Sequence, residues 1–133
     1  MQQFVDAINA ADSVAIASLY TEDGTHEDVP LGVMVQGRED ITAFIEGVFG
    51  QFDDVRIVPT AASQAGDLAV LEYDFSVTEQ ASRQPVSYRG VLILELDGVL
   101  IRRSADYYDN AAILAQLGLL DLAAAGAAAT PAS

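Results

Sequence analysis

The sequence predicts an α+β domain, with helices first, long antiparallel strands next and one short closing helix. Three observations lead there. Residues 37–52 carry apolar side chains at helical spacing. From Val55 onward, strand-like stretches alternate with turn signals. Beyond Asp109 the spacing becomes helical again.

Taken in order, Phe4, Val5 and Ile8 predict a short amphipathic helix. Asp12 is placed to cap a second helical run, Ser13 to Tyr20, which Glu22-Asp23-Gly24 ends. Thr25 to Val29 reads as a short strand with His26 and Asp28 on one face and Glu27 on the other. Pro30-Leu31-Gly32 breaks it, and Val33 to Gln36 is extended. Gly37-Arg38-Glu39-Asp40 opens the strongest helix. Its stripe is Ile41, Phe44, Ile45, Val48, Phe49 and Phe52, and its acidic first turn suits the helix dipole. Strands follow at Val55 to Ala62, Asp67 to Glu79, Pro85 to Leu96 and Val99 to Tyr107, the last two joined by an Asp97-Gly98 hairpin turn. Asp109 then caps a helix with Ile113, Leu114 and Leu117 on one stripe and Gly118 at its end. Residues 1–118 form the expected domain, and 119–133 an Ala-rich, partly disordered tail.

The chain has 133 residues, 51% of them hydrophobic, which suits one domain with a real core. Twenty acidic residues face six basic ones, all arginine, for a net charge of −14. That balance disfavours nucleic acid and anionic membrane as partners. The chain has no cysteine, which removes disulfides and thiolate metal sites and fits a cytoplasmic setting. No secretory leader and no stretch of membrane-spanning length is visible.

Several residues could carry chemistry. Alternation puts Leu100, Arg102, Ser104 and Asp106 on one face of the last strand. It puts Glu72 and Asp74 on one face of an earlier strand, and Leu71, Tyr73 and Phe75 on the other. Both faces carry apolar residues, so one is expected to line a pocket and the other to meet a second copy in a homodimer. Asp106, beside Tyr107 and Tyr108, is the first catalytic candidate, because an aromatic, apolar setting raises a carboxyl pKa toward neutrality. His26, the only histidine, pairs naturally with Asp28 and could hold a water or a carbonyl. If Asp28, Glu72, Asp74 and Asp106 converge, some must be protonated or paired with Arg102 or His26. Equally, Arg102 could simply neutralise Glu72. No ligand spacing for a metal, no Gly-rich phosphate loop and no Ser-His-Asp signature is present, so no cofactor is expected.

Two stretches carry a family resemblance: Tyr20-Thr-Glu-Asp-Gly-Thr-His-Glu-Asp-Val-Pro-Leu-Gly32 with Gly37-Arg38-Glu39, and Asp97-Gly98 followed by Asp106-Tyr-Tyr-Asp109 and a leucine-rich helix. Together they resemble the SnoaL-like proteins of the NTF2-like superfamily, which includes polyketide cyclases, limonene epoxide hydrolases and ketosteroid isomerases. The resemblance implies a cone: a curved antiparallel or mixed sheet wrapped by three to four helices around a pocket. It also implies a homodimer and an acid/base carboxylate at Asp106, with His26, Asp28 and Asp74 as further catalytic positions. A small apolar substrate would then touch Tyr20, Glu72, Arg102, Phe44, Val48 and Tyr107. In the epoxide hydrolases a Tyr-X-Asn pair stands where this chain has His26 and Asp28, and an arginine where it has Glu72. That departure favours proton transfer next to a carbonyl, as in isomerases and cyclases, over epoxide hydrolysis. A non-catalytic ligand-binding or accessory protein is the reading from outside the enzyme class.

Overall fold

The computed structural model describes residues 1–121. Among them, four helices pack on a six-stranded mixed sheet, as the α+β prediction requires. In chain order the elements are α1 (Gln2–Asn9), α2 (Ser13–Ser18), β1 (Tyr20–Asp28), β2 (Val33–Gln36), α3 (Arg38–Phe49), β3 (Phe52–Ala65), β4 (Leu68–Glu79), β5 (Pro85–Asp97), β6 (Leu100–Tyr108) and α4 (Asn110–Gln116). The sheet order is β2-β1-β6-β5-β4-β3. Only β1 and β6 run parallel; every other neighbouring pair is antiparallel. Most of the tail expectation falls on residues 122–133, outside those described. Among the described residues no helix is long and apolar enough to cross a membrane.

The helices form where local chemistry directs them. Asp12 accepts a hydrogen bond from the Ala15 amide, and Asp109 from the Ala112 amide, each at 3.0 Å. Gly118 adopts the left-handed conformation, φ 75°, that ends α4. Phe4, Val5 and Ile8 of α1, Ile16 of α2, and Ile41 and Ile45 of α3 are buried. They meet Ile57, Leu71, Tyr73, Phe75, Leu92 and Ile101 from the inner face of the sheet. The Asn9 side chain pins α1 to β3 by accepting from the Ile57 amide and donating to its carbonyl.

Of the boundaries that differ from the sequence reading, two move a residue from a helix to a strand. Tyr20 ends no helix; it begins β1, and Glu22-Asp23-Gly24 lies inside that strand. The pairing of β1 with β6 is irregular between Tyr20 and Thr25, and a Cβ on Gly24 would sit 3.1 Å from the Ile101 carbonyl. The turn-like composition therefore marks a bulge. Phe52 likewise leaves the helical stripe, because α3 stops at Phe49 and Phe52 begins β3.

The core centres on Ile41, whose side chain is fully buried. Ile41→Ala is expected to lower the free energy of unfolding by about 2–5 kcal/mol, measured by urea titration.

Candidate functional site

Parallel pairing of β1 with β6 builds the site. His26 stands opposite Ser104, and Asp28 opposite Asp106. Side chains two apart on a strand share a face, so His26, Asp28 and Asp106 line one cavity while Ser104, fully buried, stands behind the histidine. Neighbouring strands lie only about 4.8 Å apart, so the two carboxyl groups start from adjacent positions.

Tyrosines from neighbouring strands complete the polar wall. Tyr73 Oη donates to Asp106 Oδ1 at 2.5 Å. Tyr108 Oη donates to Asp28 at 2.9 and 3.1 Å, and the Leu31 amide adds a third contact to Asp28 at 3.2 Å. Ser104 Oγ bridges Tyr20 Oη at 2.6 Å and His26 Nδ1 at 2.7 Å. Tyr88 stacks on Phe75 with ring centroids 5.2 Å apart and lies 5.4 Å from the Tyr108 ring.

The rest of the wall is apolar, with Phe4, Ile16, Phe44, Ile45, Val48 and Phe49 projecting from the helices. The space enclosed is about 100 Å³. A second hollow of about 240 Å³ lies under α4 and shares Asp28, Phe75, Tyr88 and Asp106 with the first. The carboxylate pair thus sits at the junction of two spaces. No arginine lines either one. Among the described residues no group of three metal-ligating side chains is gathered.

This setting tunes Asp106. Loss of water around it raises its carboxyl from the ordinary 3.8 to about 7; the hydrogen bond from Tyr73 opposes the rise and the charge of Asp28 adds to it. Asp106 keeps some accessible surface, and that surface opens onto the two hollows. Burial also lowers the pKa of His26, against the pull of Asp28. Burial raises the phenols of Tyr20, Tyr73, Tyr88 and Tyr108, so all four remain hydrogen-bond donors near neutral pH.

Of the ten residues selected from sequence, the structure brings Asp106, His26, Asp28, Tyr20, Phe44 and Val48 to the cavity. It places Glu72, Asp74, Arg102 and Tyr107 elsewhere. Tyr73 and Phe75 take the inner face of β4, which sends Glu72 and Asp74 outward to Arg89, at 2.6 and 3.6 Å. Arg89 stands directly opposite Asp74 in the hairpin, so Arg102 is not the partner of Glu72. A register shift on β6 turns Arg102 out beside Arg103, where it lies 3.9 Å from Glu95. Tyr107 is 44% exposed on the outer face. Tyr108 holds the inward position, as plain alternation from Asp106 would have given.

Sequence reasoning also missed Ser104 as a site group, Tyr73, Tyr88 and Gly90. Gly90 faces Tyr73 across the β4–β5 pair, and a Cβ there would overlap the Tyr73 Oη and Cζ atoms. The glycine leaves the space through which the phenol reaches Asp106. A glycine inside a long strand pattern is the signal that could have found it.

Two outcomes test this geometry. Tyr73→Phe removes a donor that stabilises the Asp106 carboxylate, so the Asp106 pKa should rise above about 7, as read by carboxyl carbon NMR. Gly90→Ala should do the same while retaining the phenol.

The second outcome concerns stability. Between the unfolded value of 3.8 and about 7, the folded chain holds an Asp106 proton that the unfolded chain has released. Stability should therefore fall as pH rises through that window and level off above it, by a total on the order of a few kcal/mol. His26 has the opposite sign, because its folded pKa is depressed; its contribution is lost as pH falls below 6.5. Denaturant midpoints from pH 4.5 to 8 should show the Asp106 slope in the parent chain and its disappearance in Asp106→Asn.

The comparisons with known proteins agree with this architecture. A model of the SnoaL-like domain matches residues 1–104. No curated protein matches the chain. Among solved structures, a hypothetical protein with a ketosteroid isomerase-like fold from Catenulispora acidiphila, in complex with trimethylamine, superposes with a TM-score of 0.84. It is 26% identical, over 98% of this chain and 95% of that one. A protein from Shewanella denitrificans, provisionally assigned as a SnoaL-like polyketide cyclase, has a TM-score of 0.79 at 16% identity, over 90% of this chain and 94% of its own. A provisional ketosteroid isomerase from Kribbella flavida has a TM-score of 0.67 at 20% identity, over 81% and 73%. The last two show likeness of fold alone. With the family model matched over most of its length, the chain belongs to the SnoaL-like domain family.

Proposed function

We propose that this protein is a cofactor-independent acid–base enzyme that moves a proton next to a carbonyl in a small, mainly apolar substrate. One observation carries the reading. Asp106 faces an apolar cavity with its carboxyl held near pH 7, where it can both take and return a proton. The ionised carboxylate removes a proton from the carbon beside the carbonyl. The bond electrons move to the carbonyl oxygen as an enolate. The Asp106 proton then returns at a second carbon, giving an isomer, or the enolate carbon attacks a second carbonyl of the same molecule, closing a ring, and the alkoxide that forms takes the Asp106 proton. The oxygen needs a donor while it carries charge. Tyr88 suits that task, because it is the inward phenol with no hydrogen bond to another described residue. A second copy of the chain against the outer sheet face belongs to the same reading.

Epoxide opening is the weaker enzyme reading, since no arginine lies between the carboxylates. A second, non-catalytic reading has its own support. Two carboxylates beside the rings of Phe75, Tyr88 and Tyr108 suit a small alkylammonium ion, and the Catenulispora acidiphila neighbour holds trimethylamine.

Asp106→Asn separates these readings. On a panel of β-keto esters, enones and epoxides, the parent should turn over a carbonyl compound. The variant should lose about 10²–10⁴-fold in kcat while keeping its affinity for that compound. If no member of the panel is turned over, and trimethylammonium binds the parent but not the variant, the binding reading replaces the enzyme.

A further inference from the structure

The chain Tyr20–Ser104–His26 has no task in the mechanism above, yet its two ends line the cavity and a fully buried serine behind the wall joins them. Its protons can be counted. Neutral histidine, serine and tyrosine carry one mobile proton each, and two hydrogen bonds join them. Ser104 is fully buried and has no third side-chain partner among the described residues, so its single proton points either to His26 or to Tyr20. In the first arrangement Tyr20 donates to Ser104, Ser104 donates to Nδ1, and the imidazole proton sits on Nε2. In the second, Nδ1–H donates to Ser104, Ser104 donates to Tyr20, and the Tyr20 proton is free to point into the cavity.

We propose that these three residues form a reversible hydrogen-bond chain, and that an acceptor oxygen entering the cavity reverses it by engaging Tyr20 and moving the His26 proton from Nε2 to Nδ1. The inference rests on the carbonyl reading above and gives that substrate a second, switchable donor. Each arrangement leaves one donor over, Nε2–H in the first and the Tyr20 hydroxyl in the second; in the empty cavity the first wins, because Tyr20 is fully buried whereas the His26 ring keeps accessible surface. A carbonyl oxygen removes that penalty. His26 is suited to the exchange: burial keeps it neutral near pH 7. The neighbouring Asp28 already accepts from Tyr108 and Leu31 and does not compete for the imidazole. Tyr20 gives the chain access to the ligand, since it lines the same cavity as Asp106.

His26 is the only histidine, so its ring nitrogens give one unambiguous pair of resonances. Long-range proton–nitrogen NMR at pH 7.5 should show the Nε2–H form in the empty protein and the Nδ1–H form at saturating cyclohexanone. Methyl resonances of Ile45 and Val48 report occupancy independently. Ser104→Ala should bind the ketone without the inversion. Tyr20→Phe should also abolish it, with affinity about fivefold weaker, and serves if the serine variant does not fold. An Nδ1–H form in the empty protein, or an unchanged tautomer with the cavity occupied, overturns the proposal. If the methyl resonances do not move at any ketone concentration, the carbonyl reading itself fails and takes the proposal with it.

Discussion

The site depends on one pairing, that of β1 with β6. Among the described residues it is the only parallel contact in the sheet, and parallel strands cannot be joined by a tight turn. The chain between them cannot turn straight back, and the long connection supplies β2, the helix α3 and strands β3 to β5, the roof and the far wall of the cavity. Because the two strands run the same way, residues two apart on each meet as successive rungs on one face. His26 with Ser104, and Asp28 with Asp106, follow from that register alone. A slip of β1 by one residue would send His26 and Asp28 outward and leave Ser104 and Asp106 without their partners.

The charge distribution follows a second constraint. Of the six arginines, Arg83, Arg89, Arg102 and Arg103 form ion pairs on the outside with Asp53, Glu72, Asp74, Glu95 and Glu27. Such exposed pairs contribute little each. Their larger effect is to leave the cavity without a guanidinium. Arg38 is engaged elsewhere, its Nε donating to the Tyr20 carbonyl at 2.9 Å and holding the start of β1 in place. The inner carboxylates therefore meet neutral phenols instead of cations. A phenol stabilises a carboxylate without cancelling its charge, so the Asp28 charge still reaches Asp106.

What the sequence made legible divides along physical lines. Regular periodicity was readable: the α3 stripe, the four long strands, the Asp12 and Asp109 caps and the Gly118 terminus all rest on local rules. Irregular backbone was not. The bulge around Gly24 looked like a helix end, and the register shift at Arg102 reversed the face expected for that arginine. Asp106, His26 and Asp28 were found because strand alternation and resemblance agreed on them. Asp74 and Glu72 were misplaced because β4 carries apolar residues on both faces, and only the position of Arg89 across the hairpin shows which face is wet. Gly90 was invisible for a different reason. Its importance lies in an atom it lacks, and the ring filling that space comes from the neighbouring strand.

The two carboxylates differ in how they are held, and the difference separates their roles. Asp28 accepts from Tyr108 through both oxygens and from the Leu31 amide. Among the described residues the Asp106 carboxyl accepts from Tyr73 alone. When two like charges share a poorly solvated space, the proton settles on the one with fewer donors. Asp106 is that one, and it also opens onto both hollows. Burial is the main reason the Asp106 carboxyl sits near neutrality, and the charge of Asp28 beside it adds to the rise. The same logic explains why tyrosine recurs on this wall: each ring fills apolar space against its neighbours while its hydroxyl serves one acceptor. Such donors support charge where it forms on this wall and leave intact the dry surroundings that raise the Asp106 carboxyl.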